Sequence, residues 1–178
     1  MAFTIRPVAE RDLTAVAHLH QRSRSAAYSG FLPAAALEAV PMASMVVYWE
    51  ERWRYERDNH RMTVATEHGE IVGFTYLGPD EEPETGILHA IHVSPDAQGR
   101  GVGGALMADA LEKLAADGWR RAVLWVLAEN AHARAFYERG GWAPDGEARD
   151  EYIGPTVVNQ VRYARPLKGE ENRPGEST

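Results

Sequence analysis

The chain has no cysteine among its 178 residues, so a disulfide framework, a thiolate nucleophile and a cysteine-ligated metal are excluded at once. Any catalysis must use other groups. Long apolar runs are missing too. The richest, Ala122 to Ala128, is far too short to span a bilayer, and Met1 to Glu10 has no stretch of signal-peptide length. A soluble, cytoplasmic protein with no membrane partner is expected. Basic side chains are the scarcer sign, 19 against 26 acidic ones for a formal net charge of −7. That balance argues against nucleic acid as the partner and suits a cationic amine better. The seven histidines are scattered, with no HExxH-type pair on one helical face, so no metal is expected. At this length and 44% hydrophobic content, one core can be buried but hardly two, and a single domain follows.

The elements can be placed from local pattern. Phe3 to Pro7 reads as a short first strand. Glu10-Arg11-Asp12 then opens an amphipathic helix with Leu13, Val16, Ala17 and His20 at helical spacing and Arg22 and Arg24 on its exposed face. Gly30, Pro33 and Pro41 punctuate the next stretch, which predicts a short alanine-rich helix before a longer one around Met45 to Arg57, where Trp49 and Trp53 share a face. Met62 to Glu67 and Ile71 to Leu77 flank a His68-Gly69-Glu70 turn and form a hairpin signal. After the acidic loop Gly78 to Glu84, Thr85 to Val93 reads as a strand that Pro95 ends. A helix carrying Leu106, Met107, Ala110, Leu111 and Leu114 stops at Gly118. Arg121 to Leu127 is a buried strand, Asn130 caps a helix to Arg139, and Val157 to Leu167 is the last strand. The tail from Gly169 to Thr178 is charged and too poor in apolar surface to dock, so it reads as disordered and the domain as residues 1–168.

The chemistry concentrates between Val93 and Gly104, where a strand end runs through a glycine-rich bend straight into a helix. Backbone N–H groups left without partners in a first helical turn, together with the helix dipole, make an anion site, and glycine lets a pyrophosphate approach with no Cβ in the way. Arg100 adds positive charge. Gly99, Gly101 and Gly104 satisfy the dinucleotide fingerprint G-x-G-x-x-G, but that motif follows an early strand of a long parallel sheet, and here a largely antiparallel region precedes it. A phosphate-binding P-loop fails because no Lys-Ser or Lys-Thr follows the glycines. A plain tight turn with a good helix start is the unremarkable alternative.

Two segments carry a resemblance. Gln98-Gly99-Arg100-Gly101-Val102-Gly103 resembles the Q/R-x-x-G-x-G/A acyl-CoA signature of the GNAT N-acetyltransferase superfamily, and Asn130 to Trp142 is similar to its N-x-x-A-x-x-F-Y-E-K-x-G-F stretch. The resemblance implies a mixed, mostly antiparallel sheet of six or seven strands with helices on both faces. It implies acetyl-CoA as cosubstrate, with main-chain amides from Gly99, Arg100, Gly101, Val102, Gly103 and Gly104 on the pyrophosphate beside Gln98. Ile91, His92 and Val93 would lie along the pantetheine arm, as would Asn130, Ala133, Phe136 and Tyr137. The strands ending near Val93 and Val126 would splay apart to admit it.

The implied activity is acetyl transfer to a primary amine of a small molecule or peptide by direct attack. The ammonium must first lose a proton and the departing thiolate needs an acid. Tyr137 falls on the family's tyrosine position and is the candidate acid, with packing behind Phe136 as the alternative. For the base, Ile87 stands where some relatives carry glutamate. Strand alternation puts His89 on the same side as Ile87, Ile91 and Val93, with His92 opposite. His89 is therefore the candidate, Glu84 the second through water, and plain packing the alternative. Tyr28, Trp49 and Trp53 lie where relatives form an acceptor wall, though two tryptophans four apart also suit a core. The acidic loop with Glu81, Glu82 and Glu84 could steer a cation. The resemblance also admits a homodimer. The competing functional class is a non-catalytic acyl-CoA-binding sensor or interaction module.

Overall fold

In a computed structural model describing residues 2–167, seven strands form one sheet in the order β1-β2-β3-β4-β5-β7-β6. The strands are β1 (Thr4–Pro7), β2 (Arg61–Glu67), β3 (Glu70–Pro79), β4 (Thr85–Val93), β5 (Arg121–Leu127), β6 (Ala143–Ile153) and β7 (Thr156–Pro166). Five helices complete it: α1 (Leu13–Tyr28), α2 (Ala34–Glu38), α3 (Met42–Glu56), α4 (Val102–Ala116) and α5 (Ala131–Arg139). The expected mixed, mostly antiparallel sheet is what is seen: every neighbouring pair is antiparallel except β4 and β5. The tail expected to be disordered lies outside the described residues. One element was not anticipated. β6 is exposed along most of its length and shifts register between Pro144 and Ala148, so it carries no alternating pattern to read.

The two faces of the sheet bury separate clusters. Leu13, Val16 and Leu19 of α1 and Met45 and Trp49 of α3 pack on Val64, Phe74 and Tyr76. On the other side Met107, Ala110 and Leu114 of α4 meet Leu77, Leu88, Leu124 and Val126, with Ala133, Phe136 and Tyr137 of α5 against them. This is the helical spacing of the sequence converted into burial, at roughly 25 cal/mol per Å² of apolar surface removed from water. Among the described residues no helix is long and apolar enough to cross a membrane.

The joint between β4 and β5 positions everything that follows. It holds over three pairs only, Thr85 with Arg121, Gly86 with Ala122 and Ile87 with Val123. Both strands run on in parallel sequence direction without pairing again, β4 to Val93 and β5 to Leu127. At the paired end Gly86 has no room for a side chain, because a Cβ there would sit 2.6 Å from Leu114 and 2.7 Å from Trp119. Close packing of α4 and Trp119 on a bare backbone therefore closes one end and leaves the other open.

Candidate active site

Beyond Ile87 the β5-facing backbone groups of β4 have no strand partner. Ser94 donates its N–H to Val72 of β3. Backbone direction alternates along a strand, so His92 also faces β3 while Ile91 and Val93 turn their N–H and C=O toward the gap. An extended chain entering the gap would meet those groups as a strand would.

The gap continues into the glycine bend. Gly99 and Gly101 take φ of +74° and +85°, and Gly101 is the N-cap of α4. Only glycine adopts that backbone without a Cβ penalty. Within α4 the first hydrogen bond runs from Ala105 N–H to Gly101 C=O, so the N–H groups of Val102, Gly103 and Gly104 have no helical acceptor. Val102 itself is buried and anchors the helix start in a cluster with Ala65 and Leu106. At Gly99, Gly101 and Gly104 an added Cβ would meet no protein atom within 4 Å. The protein thus keeps open space over a row of donors, which is the fit a diphosphate requires. Arg100 hydrogen-bonds Glu67 at 3.0 Å and the Asp96 carbonyl at 3.3 Å, so part of its charge is already matched.

Two cavities occupy this region. One of about 460 Å³ is lined by the bend, including Gln98 and Gly103, with Phe136 and Arg139 opposite. The other, of about 220 Å³, lies between the diverging strands and is lined by Tyr28, Trp49, His89, Trp125 and Asn130 among others. They share Ile91, His92, Ala133 and Tyr137, so the two spaces meet at a phenol and an imidazole. Asn130 also does what its sequence position suggested: its side chain accepts the Ala133 N–H at 3.2 Å and caps α5. Tyr137 packs edge-on to Phe136 and near Trp142 and Tyr163. Burial, and then the nearby Tyr28 phenol, hold its pKa above the ordinary phenol range, so it keeps its proton at neutral pH.

Several expectations need correction. Tyr76 pairs with Ala90 and Leu77 with Leu88, which leaves His89 as an extra residue in β4. Such a bulge breaks alternation and re-aims side chains. Ile91 and Val93 pack toward α4. His89 stacks instead on His60 and lies beside Tyr76, and His92 stacks on Phe74 and contacts His20. His89 and His92 thus share the side that faces α1 and α3, contrary to strict alternation. Crowding by the surrounding side chains, together with the cations Arg52 and Arg149 and the His60 ring, lowers the His89 pKa, although the residue is partly exposed to solvent, which screens the effect. Burial and then Arg24 bring His92 to about 4. His92 is held by Ser23 Oγ, 3.0 Å from Nδ1.

Glu84 is not at the site. It stands at the closed end of β4, exposed, 3.3 Å from Arg120, seven residues before Ile91 and therefore about 23 Å along the strand from it. The acidic loop is likewise turned away, with Glu82 bound to Arg121 at 2.9 Å and Arg162 at 2.7 Å. Trp49 is 1% exposed and donates Nε1–H to His20 Nδ1 at 3.1 Å, so it is core first and cavity wall second. Trp53 stacks under Arg57 and borders other hollows, not these two. Arg24, expected on an exposed face, has Nε and Nη2 buried. Its spacing from His20 and to Tyr28, four residues each way, was the available signal. Among the described residues no group of three or more His, Cys, Asp or Glu is arranged to hold a metal.

Residues 18–142 match the Acetyltransferase (GNAT) family. The chain belongs to that family. An uncharacterized N-acetyltransferase of Methanocaldococcus jannaschii is 36% identical over 99 residues, 53% of this chain and 44% of that protein. A mycothiol acetyltransferase of Beutenbergia cavernae is 50% identical over 60 residues, 34% of this chain and 20% of that protein. The chain spans less than half the length of these two relatives. Among solved structures, the PaiA N-acetyltransferase of Thermoplasma acidophilum, in complex with coenzyme A, superposes with a TM-score of 0.75 at 15% identity, over 93% of this chain and 99% of that one. At that identity the likeness shows the fold. This GNAT-family chain shares that overall fold.

Proposed function

We propose that this chain transfers an acetyl group from acetyl-CoA to a primary amine of a small molecule or peptide, by direct attack in a ternary complex. The observation that carries the reading is the continuity of two spaces: donors over open volume at the start of α4, leading into a strand gap that meets a second cavity at Tyr137 and His92. Main-chain N–H groups of Val102, Gly103 and Gly104 hold the diphosphate, and the gap-facing backbone of Ile91 and Val93 holds the extended arm. When bound, acetyl-CoA supplies a thioester-activated acetyl group.

The chain's own groups do the rest. An N–H of β4 at the gap, near Val93, donates to oxygen as negative charge develops there. Tyr137, whose raised pKa keeps its proton in place, donates a hydrogen bond toward the sulfur as it leaves. His89 and His92 are neutral at neutral pH because their surroundings lower both pKa values, His92 to about 4. Bases this weak do not store a proton taken from a free ammonium. They orient an amine that arrives neutral and relay its proton to water after attack, when the nitrogen has become far more acidic.

The test is an acetyl-CoA turnover assay over polyamines, amino acids, aminoglycosides and peptides, reading released thiol, with Tyr137→Phe beside the parent. Transfer to one class, lowered by about 10²–10⁴-fold in Tyr137→Phe with coenzyme A affinity kept, is the expected outcome. Coenzyme A binding with no transfer to any amine would move the protein to the sensor class instead.

A further inference from the structure

The smaller cavity, where an acceptor would stand, is polar without being negative. Its polar side chains include three imidazoles, His20, His89 and His92, and two amides, Asn130 and Gln160. Among the described residues no Asp or Glu lines it or the larger cavity that meets it. What stands behind the lining is positive. Arg52 donates Nη1–H to the Tyr48 hydroxyl at 2.8 Å, and Arg149 lies 4.2 Å over the Trp125 ring and gives Nε–H to Gln160 at 2.8 Å. Tyr48, Trp125 and Gln160 all line the cavity. The carboxylates beside these cations are Glu56, 2.8 Å from Arg52 Nε, and Glu151, 3.8 Å from Arg149 Nη2, and neither reaches the lining. On the α1 side Arg24 adds its charge against His20 and His92.

An ammonium entering such a space loses water and gains no counter-charge. Aromatic faces can hold a cation, but the Trp125 and Tyr48 rings already engage guanidinium groups. The imidazoles do not take the proton either, since their surroundings lower all three below the ordinary imidazole range. The site therefore draws on the fraction of acceptor that is already neutral. That fraction depends on the amine. At pH 7 a peptide α-amine, of ordinary pKa about 7.7–8.0, is neutral in roughly 10–17% of molecules, whereas a lysine-type ε-amine near 10.4 is neutral in roughly 0.04%.

Resting on the acetyltransferase reading above, we propose that the acceptor is a weakly basic α-amine beside a carbonyl, as at a peptide N-terminus or in an amino-acid amide, and that Arg52 and Arg149 turn away acceptors carrying further positive charge. The amine enters uncharged, toward His92 and Tyr137. It needs no acidic steering loop, consistent with Glu82 and Glu84 lying elsewhere.

The experiment compares a short lysine-free peptide with a free N-terminus, an N-terminally blocked peptide with one lysine, and spermidine as acceptors. Released thiol is read from about pH 6 to 10.5, a span that covers both amine pKa values, in the parent and in Arg149→Glu, with coenzyme A affinity measured alongside. At pH 7 the parent is expected to favour the α-amine over the ε-amine by about 100-fold in kcat/KM, with the α-amine profile levelling near about 8 and the ε-amine profile still rising to about 10. Arg149→Glu, at a half-exposed position, keeps coenzyme A affinity and lowers the KM for spermidine by about tenfold relative to the α-amine. Equal or faster acetylation of the ε-amine or spermidine by the parent at pH 7 would overturn the proposal while leaving the acetyltransferase reading intact. So would profiles for both amines that level together at one pH, since that marks a base of the protein collecting the proton. An unchanged spermidine KM in Arg149→Glu overturns the part given to the arginines. A parent that acetylates nothing in the panel at any pH overturns both readings.

Discussion

The two ends of the β4–β5 joint are made of the same materials and do opposite things. At the closed end Gly86 is glycine because α4 and Trp119 press on it. At the open end Gly104 is glycine although nothing in the protein presses on it. The first absence of a side chain serves packing, and the second preserves space for something else. Charge divides the same way. Near the closed end Glu82, Asp145, Arg121 and Arg162 interlock at 2.6–2.9 Å, whereas at the open end the partial positive charge of the α4 N-terminus, on the N–H groups of Val102, Gly103 and Gly104, meets no helical acceptor. A folded region that satisfies itself is structural, and one that leaves donors and room unsatisfied is poised for a ligand.

The contrast can be broken most severely at Gly86. Gly86→Val should cost about 1–3 kcal/mol through overpacking, a fall in melting temperature of roughly 2–12 °C at this size, with coenzyme A affinity of the folded fraction unchanged. Gly104→Val should do the reverse. Its Cβ enters open space and valine is no worse than glycine in a helix, so stability holds or rises while coenzyme A binding, read by calorimetry, weakens by at least about tenfold, or 1.4 kcal/mol. If the two variants gave the same pattern, the distinction between the ends would be lost.

A pH series sharpens it further. His92 is held near 4 when folded against an ordinary 6.5. As pH falls from about 6.5 toward 4 the unfolded chain takes up protons that the folded open end refuses, so stability present above 6.5 is lost across that window. Asp145 at the closed end is opposed by burial but held below its ordinary 3.8 by the Glu147 N–H and by Arg162 and Arg121. Its contribution is lost only below that value. Thermal melts should show His92→Gln flattening the upper window and Asp145→Asn the lower. The smallest effect is reserved for Glu84→Gln. An exposed pair with Arg120 is worth little, so stability should change by less than about 0.5 kcal/mol and turnover not at all. A clear loss of turnover would return Glu84 to the proton path.

What was legible in the sequence was local. The glycine bend could be read because positive φ and free N–H groups belong to a single turn, and the Asn130 cap needs only three residues. The joint's splay followed from the family resemblance and not from any pattern in β4 or β5. The His89 bulge could not be read, since it is a mismatch of count between β4 and a strand on the far side of a loop. β6 was missed because most of both its faces meet solvent. Arg24 was legible and misread: the stripe Leu13, Val16, Ala17, His20 continues through it to Tyr28, but a charged residue was assigned to water where burial had in fact claimed it.

The brevity of that one parallel joint has a mechanical consequence. The sheet is two antiparallel blocks, β1 to β4 and β5 to β7, stapled by three rungs at one edge. A molecule wedged into the open side would supply missing rungs and tie the blocks together from the other edge. Occupancy would then act as a clasp as well as a supply of reactant, and resistance of the whole chain to proteolysis would report on it.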